Sequence, residues 1–183
     1  VHHNLLKANA HFHRGQNTFS VQYAMQLNQR QEFDLRRDSL NSLPAIDLTL
    51  QTHTLDAEWE QELKEDNFRC IGLNAMLQTN DNNFGTRRLP FIPNFSSYTG
   101  GLYVIDHFAV NTWDLEAGLR FDYRYYTVAG RDFSNTVYNS SMAFANASAT
   151  LGATRSVGKA GEFISGLSTT WRPPHVAELY SVG

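Results

Sequence analysis

Histidines are the first residues of this chain that could do chemistry: there are seven, and His2, His3, His11 and His13 crowd its start. On an extended strand successive side chains alternate faces, so His11 and His13 point the same way and could share a metal ion. No carboxylate or cysteine stands at a spacing that would complete the ligand set. The expectation is therefore no metal and no cofactor. Serine, histidine and aspartate are all present, yet no G-x-S-x-G elbow, H-E-x-x-H pair or phosphate-cradling glycine loop orders them for catalysis. The chain reads as a non-enzyme. Arg87 and Arg88 are adjacent guanidinium groups whose fork geometry suits carboxylate or catecholate oxygens, with a solvated loop pair as the plainer alternative. Arg120, Asp122 and Arg124 fall at every second position and would form a charge ladder with neighbouring strands. A formal charge of -3 leaves no basic footprint for nucleic acid. The single cysteine, Cys70, cannot form an internal disulfide and would pack as a small hydrophobe.

The elements that must position these residues are extended strands. From Trp113 to Tyr125 the pattern has a two-residue period: Trp113, Leu115, Ala117, Leu119, Phe121, Tyr123 and Tyr125 on one face, charged residues and Gly118 on the other. That is long for a soluble strand, where about five or six residues are usual. A tilted transmembrane strand needs about nine to eleven residues, with aromatics at its ends and polar side chains toward the lumen. No window approaches the eighteen or so apolar residues of a membrane helix, and a mean hydropathy of -0.41 is what averaging over two unlike faces would give. Aromatics at 13% suit interfacial girdles, and they would equally suit an aromatic-rich β-sandwich.

Alternating segments recur over residues 4–13, 19–36, 46–59, 68–79, 97–110, 113–125, 144–156 and 163–171. Near Thr54 the apolar positions change parity, from Ile46, Leu48 and Leu50 to Leu55, Ala57 and Trp59, which predicts a β-bulge. Residues 60–67 read as a short acidic turn, with a helix over Leu55 to Leu63 as the alternative, and the chain from Arg172 onward reads as irregular. The connections sort by length: short at 14–17, 61–67, 111–112 and 156–161, longer at 38–45, 80–95, 127–141 and after 171. Short turns at one end and long loops at the other are the pattern of an antiparallel, up-and-down transmembrane β-barrel.

The segments Leu89-Pro90-Phe91-Ile92-Pro93-Asn94-Phe95, Gly101-Leu102-Tyr103, Trp113 to Asp122 with its Gly118-Leu119-Arg120-Phe121-Asp122 core, and Trp171-Arg172-Pro173-Pro174-His175-Val176-Ala177-Glu178-Leu179-Tyr180-Ser181-Val182-Gly183 resemble the middle barrel of TonB-dependent outer-membrane receptors. The resemblance implies a barrel of about twenty-two strands with a plugged lumen, of which residues 1–183 would be a wall fragment of about eight long strands. A plug domain, a TonB box and an aromatic-terminated last strand are not recognisable in it. It further implies a Gram-negative outer membrane and uptake of a scarce nutrient, a ferric siderophore being the first expectation, energised through TonB. The implied partners are outer-membrane lipid and lipopolysaccharide, the iron chelate, the plug and TonB. Arg87, Arg88 and His175 would then face ligand, while Gly118, Arg120, Asp122, Arg172, Pro173, Glu178 and Tyr180 would be structural motif positions. A soluble extracellular antiparallel β-domain binding carbohydrate on exposed aromatics is the competing reading; its apolar faces would close on each other.

Overall fold

The two-residue alternation is realised as a single antiparallel sheet. The structure, a computed structural model, describes residues 1–183 apart from 34–42, 65, 87–88, 133, 159–160 and 181–183. The strands are β1 (His2–Arg14), β2 (Asn17–Glu32), β3 (Ile46–Lys64), β4 (Asn67–Asn82), β5 (Asn94–Val110), β6 (Trp113–Arg131), β7 (Val137–Ser156) and β8 (Glu162–Ser168), followed by one short helix, α1 (Val176–Tyr180). Each strand pairs only with its neighbours in sequence, in the order β1-β2-β3-β4-β5-β6-β7-β8. This is an up-and-down meander. Asn111, with φ 58°, and Gly15, with φ 60°, occupy the left-handed region that tight hairpin turns require.

Cross-strand register fixes which residues share a face. Tyr103 opposes Arg120, which opposes Ser148, and Asn74 opposes Gly101, which opposes Asp122. Leu102, Phe121 and Ala147 form the corresponding row on the other side. That second face is apolar and uncovered: Leu102 is 58%, Leu119 64% and Leu151 59% exposed. In water such a surface would drive aggregation; against lipid tails it is the expected wall. Aromatics mark its two ends. Phe19 stacks on Trp59 toward the turn at residues 15–16, and Tyr98 meets Tyr125 toward the opposite rim. The apolar faces do not close on each other, which overturns the soluble-domain reading.

β2 to β7 run 16 to 20 residues, beyond the about nine to eleven that cross the hydrocarbon, so they are long enough to extend past it. Unpaired backbone groups cannot remain in lipid. The open edges of β1 and β8 therefore make these eight strands part of a larger closed wall.

Four local expectations are corrected. β2 and β3 keep one register from Glu32 opposite Ile46 to Asn17 opposite Gln61, so there is no bulge at Thr54. The parity change has another cause: Leu50 faces inward and packs on a small lumenal cluster of Phe95, Tyr126, Val128 and Val176. The supposed acidic turn, or helix, is strand as far as Lys64, with the irregularity falling between Glu62 and Lys64. The long loop at 127–141 is mostly ladder, since β6 and β7 pair up to Arg131 and Val137 and leave 132–136 as the connection. Finally, the last segment is shorter and less irregular than its pattern implied, because the chain leaves the sheet after Ser168 and then forms α1.

Candidate functional site

The lumen-facing side carries the chemistry, and its centre is Arg120. Its guanidinium grips Asp122, two residues along the same strand, with Nε 2.8 Å from Oδ2 and Nη2 2.6 Å from Oδ1. Nη1 donates to Asn74 Oδ1 on β4 at 2.7 Å, and Asn74 Nδ2 donates in turn to Asp56 on β3. Arg120 reaches β4 by lying across β5 at Gly101, where a Cβ would stand 2.5 Å from its Nη2. The expectation of a charge ladder between strands is corrected: the carboxylate partner is on β6 itself, and the neighbouring strands answer with amide, hydroxyl and aromatic groups. Arg120 Cζ lies 5.6 Å from the centre of the Tyr103 ring. Arg124 Nε donates to Thr99 Oγ1 at 2.8 Å, and its Nη1 donates to Tyr126 Oη at 3.2 Å.

One strand nearer the start of the chain, the same device recurs. Tyr103 crosses β4 at Gly72 and donates its hydroxyl to Glu58 on β3. Thr150 of β7 overhangs Gly118 of β6, where a Cβ would meet its methyl at 2.7 Å. The Gly-x-Arg-x-Asp element is thereby explained by position: Gly118, Arg120 and Asp122 face the lumen, and Leu119 and Phe121 face lipid.

Above this ladder the chain folds inward. From Thr169 it turns into the lumen as a strap that ends in α1, held by a reciprocal cap. The His175 N–H donates to Glu178 Oε2 at 2.6 Å, and His175 Nδ1 accepts the Ala177 N–H at 3.2 Å. Arg172 Nη2 donates to the other carboxylate oxygen of Glu178 at 2.9 Å. The His175 N–H and the Arg172 guanidinium together hold the Glu178 carboxyl below its ordinary value. Pro173 is buried. The Tyr126 hydroxyl donates to Pro174 O at 2.6 Å, which links the strap to Arg124 on the wall. Val176 is wholly buried against Phe95, Tyr126 and Val128. Tyr180 stacks on Tyr138 with centroids 6.0 Å apart and shares a hydrogen bond of 2.7 Å with Ser140 Oγ.

His175, a candidate ligand contact, is exposed on this strap and meets Phe95 edge-on at 5.9 Å. The Ala177 bond occupies its Nδ1, and no hydrogen bond engages its Nε2 among the described residues. Arg87 and Arg88 lie outside the described residues, as does the Ser181-Val182-Gly183 end of the strap motif. A cavity of about 620 Å³ is lined among others by Asn82, Phe84, Pro93, Arg131 and Tyr138. His11 and His13 do share a face, but each ring pairs with a hydroxyl on β2, His11 with Ser20 and His13 with Thr18.

The sequence reading missed Asn74, Tyr103, Tyr126 and Val176 as lumenal residues. A signal existed for the first two, because Gly72 and Gly101 inside strand patterns mark close approach of another group.

Among curated proteins and among solved structures nothing matches the chain. A family model described as TonB dependent receptor-like, beta-barrel, matches residues 2–183, and the chain belongs to that family of Gram-negative outer-membrane receptor barrels.

Proposed function

We propose that residues 1–183 form part of the wall and ligand vestibule of a receptor that captures a ferric siderophore at the cell surface and imports it with energy delivered through TonB. The observation that carries this reading is the family match over residues 2–183. The two-faced sheet is in keeping with it, apolar toward lipid and hydrogen-bonded toward the lumen. Arg87 and Arg88 pair with the carboxylate or catecholate oxygens of the anionic chelate from the loop above β4 and β5. His175 Nε2 meets the ligand from the strap. The wall works with a plug and with TonB, both supplied by the receptor system of which it is part, and it sits between lipopolysaccharide and phospholipid.

The test is uptake of radiolabelled iron, presented as catecholate and as hydroxamate chelates, by iron-restricted cells lacking their own receptors and expressing the intact receptor. TonB-dependent accumulation of one chelate class is expected. R87A/R88A should raise the half-saturating concentration about a hundredfold, because two charge-assisted contacts of about 1.5 kcal/mol each are lost. Import that is indifferent to TonB, or receptor-dependent import of neither chelate, would sink the proposal.

A further inference from the structure

The outward face carries its charges unevenly. At the end of the sheet with tight turns, the outward positions of the regular ladder hold Arg14, Arg69 and Arg155 against one carboxylate, Asp106. Arg69 is committed to that carboxylate at 2.6 Å. Arg155, with a strand on either side, is exposed and has no carboxylate partner among the described residues, and Arg14 stands on the open-edge strand β1 with none on its β2 side. At the opposite rim the outward ladder charges are Asp47, Asp81 and Arg131, so the sign is reversed.

Arg155 is in direct contact with an aromatic of the turn-side girdle, and Arg14 is tied to one through Asn17. Arg155 lies directly opposite Trp113, its Cζ 5.1 Å from the indole centre, and opposite Phe163 on its other side. Arg14 lies opposite Asn17, whose Oδ1 accepts the Trp59 indole N–H at 2.9 Å. An indole at the edge of the hydrocarbon fixes the height of the headgroups, and a guanidinium stacked on it is held at phosphate level with its donors pointing outward. In an outer-membrane barrel the tight turns lie on the periplasmic side, where the leaflet is glycerophospholipid.

We propose that Arg14 and Arg155 are docking points for the phosphate of anionic glycerophospholipids in the periplasmic leaflet. The chain thus enriches anionic lipid by charge at the turn-side rim, around Trp59 and Trp113. The proposal rests on the barrel's placement in the membrane and is independent of which nutrient is imported.

The intact receptor is reconstituted in bilayers of phosphatidylcholine and phosphatidylglycerol, and tryptophan quenching by each lipid, brominated in turn, is compared. Phosphatidylglycerol is expected to quench in excess of its mole fraction. R14Q/R155Q should lower that selectivity about fivefold per arginine, the factor equivalent to about 1 kcal/mol of headgroup attraction. R14K/R155K should retain most of it. Raising salt on the wild-type protein should erode the selectivity in the same way, which keeps the test valid if the glutamine variant fails to fold. Equal quenching by the two lipids in the wild type, or an unchanged ratio in R14Q/R155Q, overturns the proposal.

Discussion

The ring of Tyr103 lies across the backbone of β4 at Gly72, in the space a side chain there would fill, and so delivers its hydroxyl to Glu58 two strands away. Arg120 uses Gly101 in the same manner one strand further on. Bare backbone at these two positions lets long polar side chains lie flat on the lumen wall and bind strands that are not neighbours.

Gly72→Val should therefore expel the Tyr103 ring and break its bond to Glu58. Overpacking of this kind costs about 1–3 kcal/mol. Thermal unfolding of the intact receptor, followed by its heat-modifiable mobility on gels, should show a lower midpoint for G72V. The same substitution in a background of Tyr103→Ala should show little further loss, because the colliding ring is gone. A full loss in that background would mean that Tyr103 is not the cause.

Arg120 serves three partners through one fork, so its replacement by lysine is not conservative. A point charge can keep Asp122, but it cannot also hold Asn74 across Gly101. R120K should cost about 1 kcal/mol or more through the Asn74 bond alone. Both ends of the Arg120–Asp122 pair are partly exposed, 37% and 19%, so R120Q should cost less than the loss of a fully buried pair would. A double-mutant cycle of R120K with N74A that shows no coupling would place the bond outside the stability of the wall.

Val176 is the apolar anchor of the inward strap, fully buried where the wall residues Phe95, Tyr126 and Val128 meet. V176A removes two methyl groups and leaves a small void, worth about 1–2 kcal/mol. Limited proteolysis should then cut near Trp171 to Tyr180 faster in V176A while leaving β5 to β7 resistant. Unchanged cleavage would mean that the cap, not the anchor, holds the strap.

Much of this architecture is written in period two, and much of the rest is hidden by the same rule. Trp113 to Tyr125 showed its face, its length and its girdle residues without a structure, because one side meets lipid and the other water. The rule failed where a face changes neighbour along one strand. Leu50 on β3, and Tyr126 and Val128 on β6, are apolar but point inward, since the strap covers that part of the lumen. Read as lipid-facing they imply a bulge; read as the end of a strand they imply a loop. Both errors share this cause, which lies more than forty residues away in sequence and so leaves no local mark. The strap was legible as the motif from Trp171 to Gly183, with Arg172, Pro173, Glu178 and Tyr180 as its structural positions, and its chemistry appears once Glu178 is seen to join His175 to Arg172.

That junction makes the strap sensitive to acid. The Glu178 carboxylate accepts from the His175 N–H and from Arg172, and both favour its ionised form, so its folded pKa lies below the ordinary glutamate value. A carboxyl with a depressed folded pKa contributes stability that is fully present above the unfolded pKa and is lost as pH falls through the folded one. The strap should therefore stay docked at neutral pH and begin to loosen as pH drops below about 4.3. Fluorescence of Trp171, at the head of the strap, reports this in a receptor whose Trp59 and Trp113 are replaced by phenylalanine and whose remaining signal is subtracted with W171F. Wild-type protein should show a reversible acid transition. E178Q should be looser at neutral pH, because its neutral amide gives up the charge-assisted acceptor, and its signal should be flat across the acid range. A transition of equal size in E178Q would assign the acid response to another group.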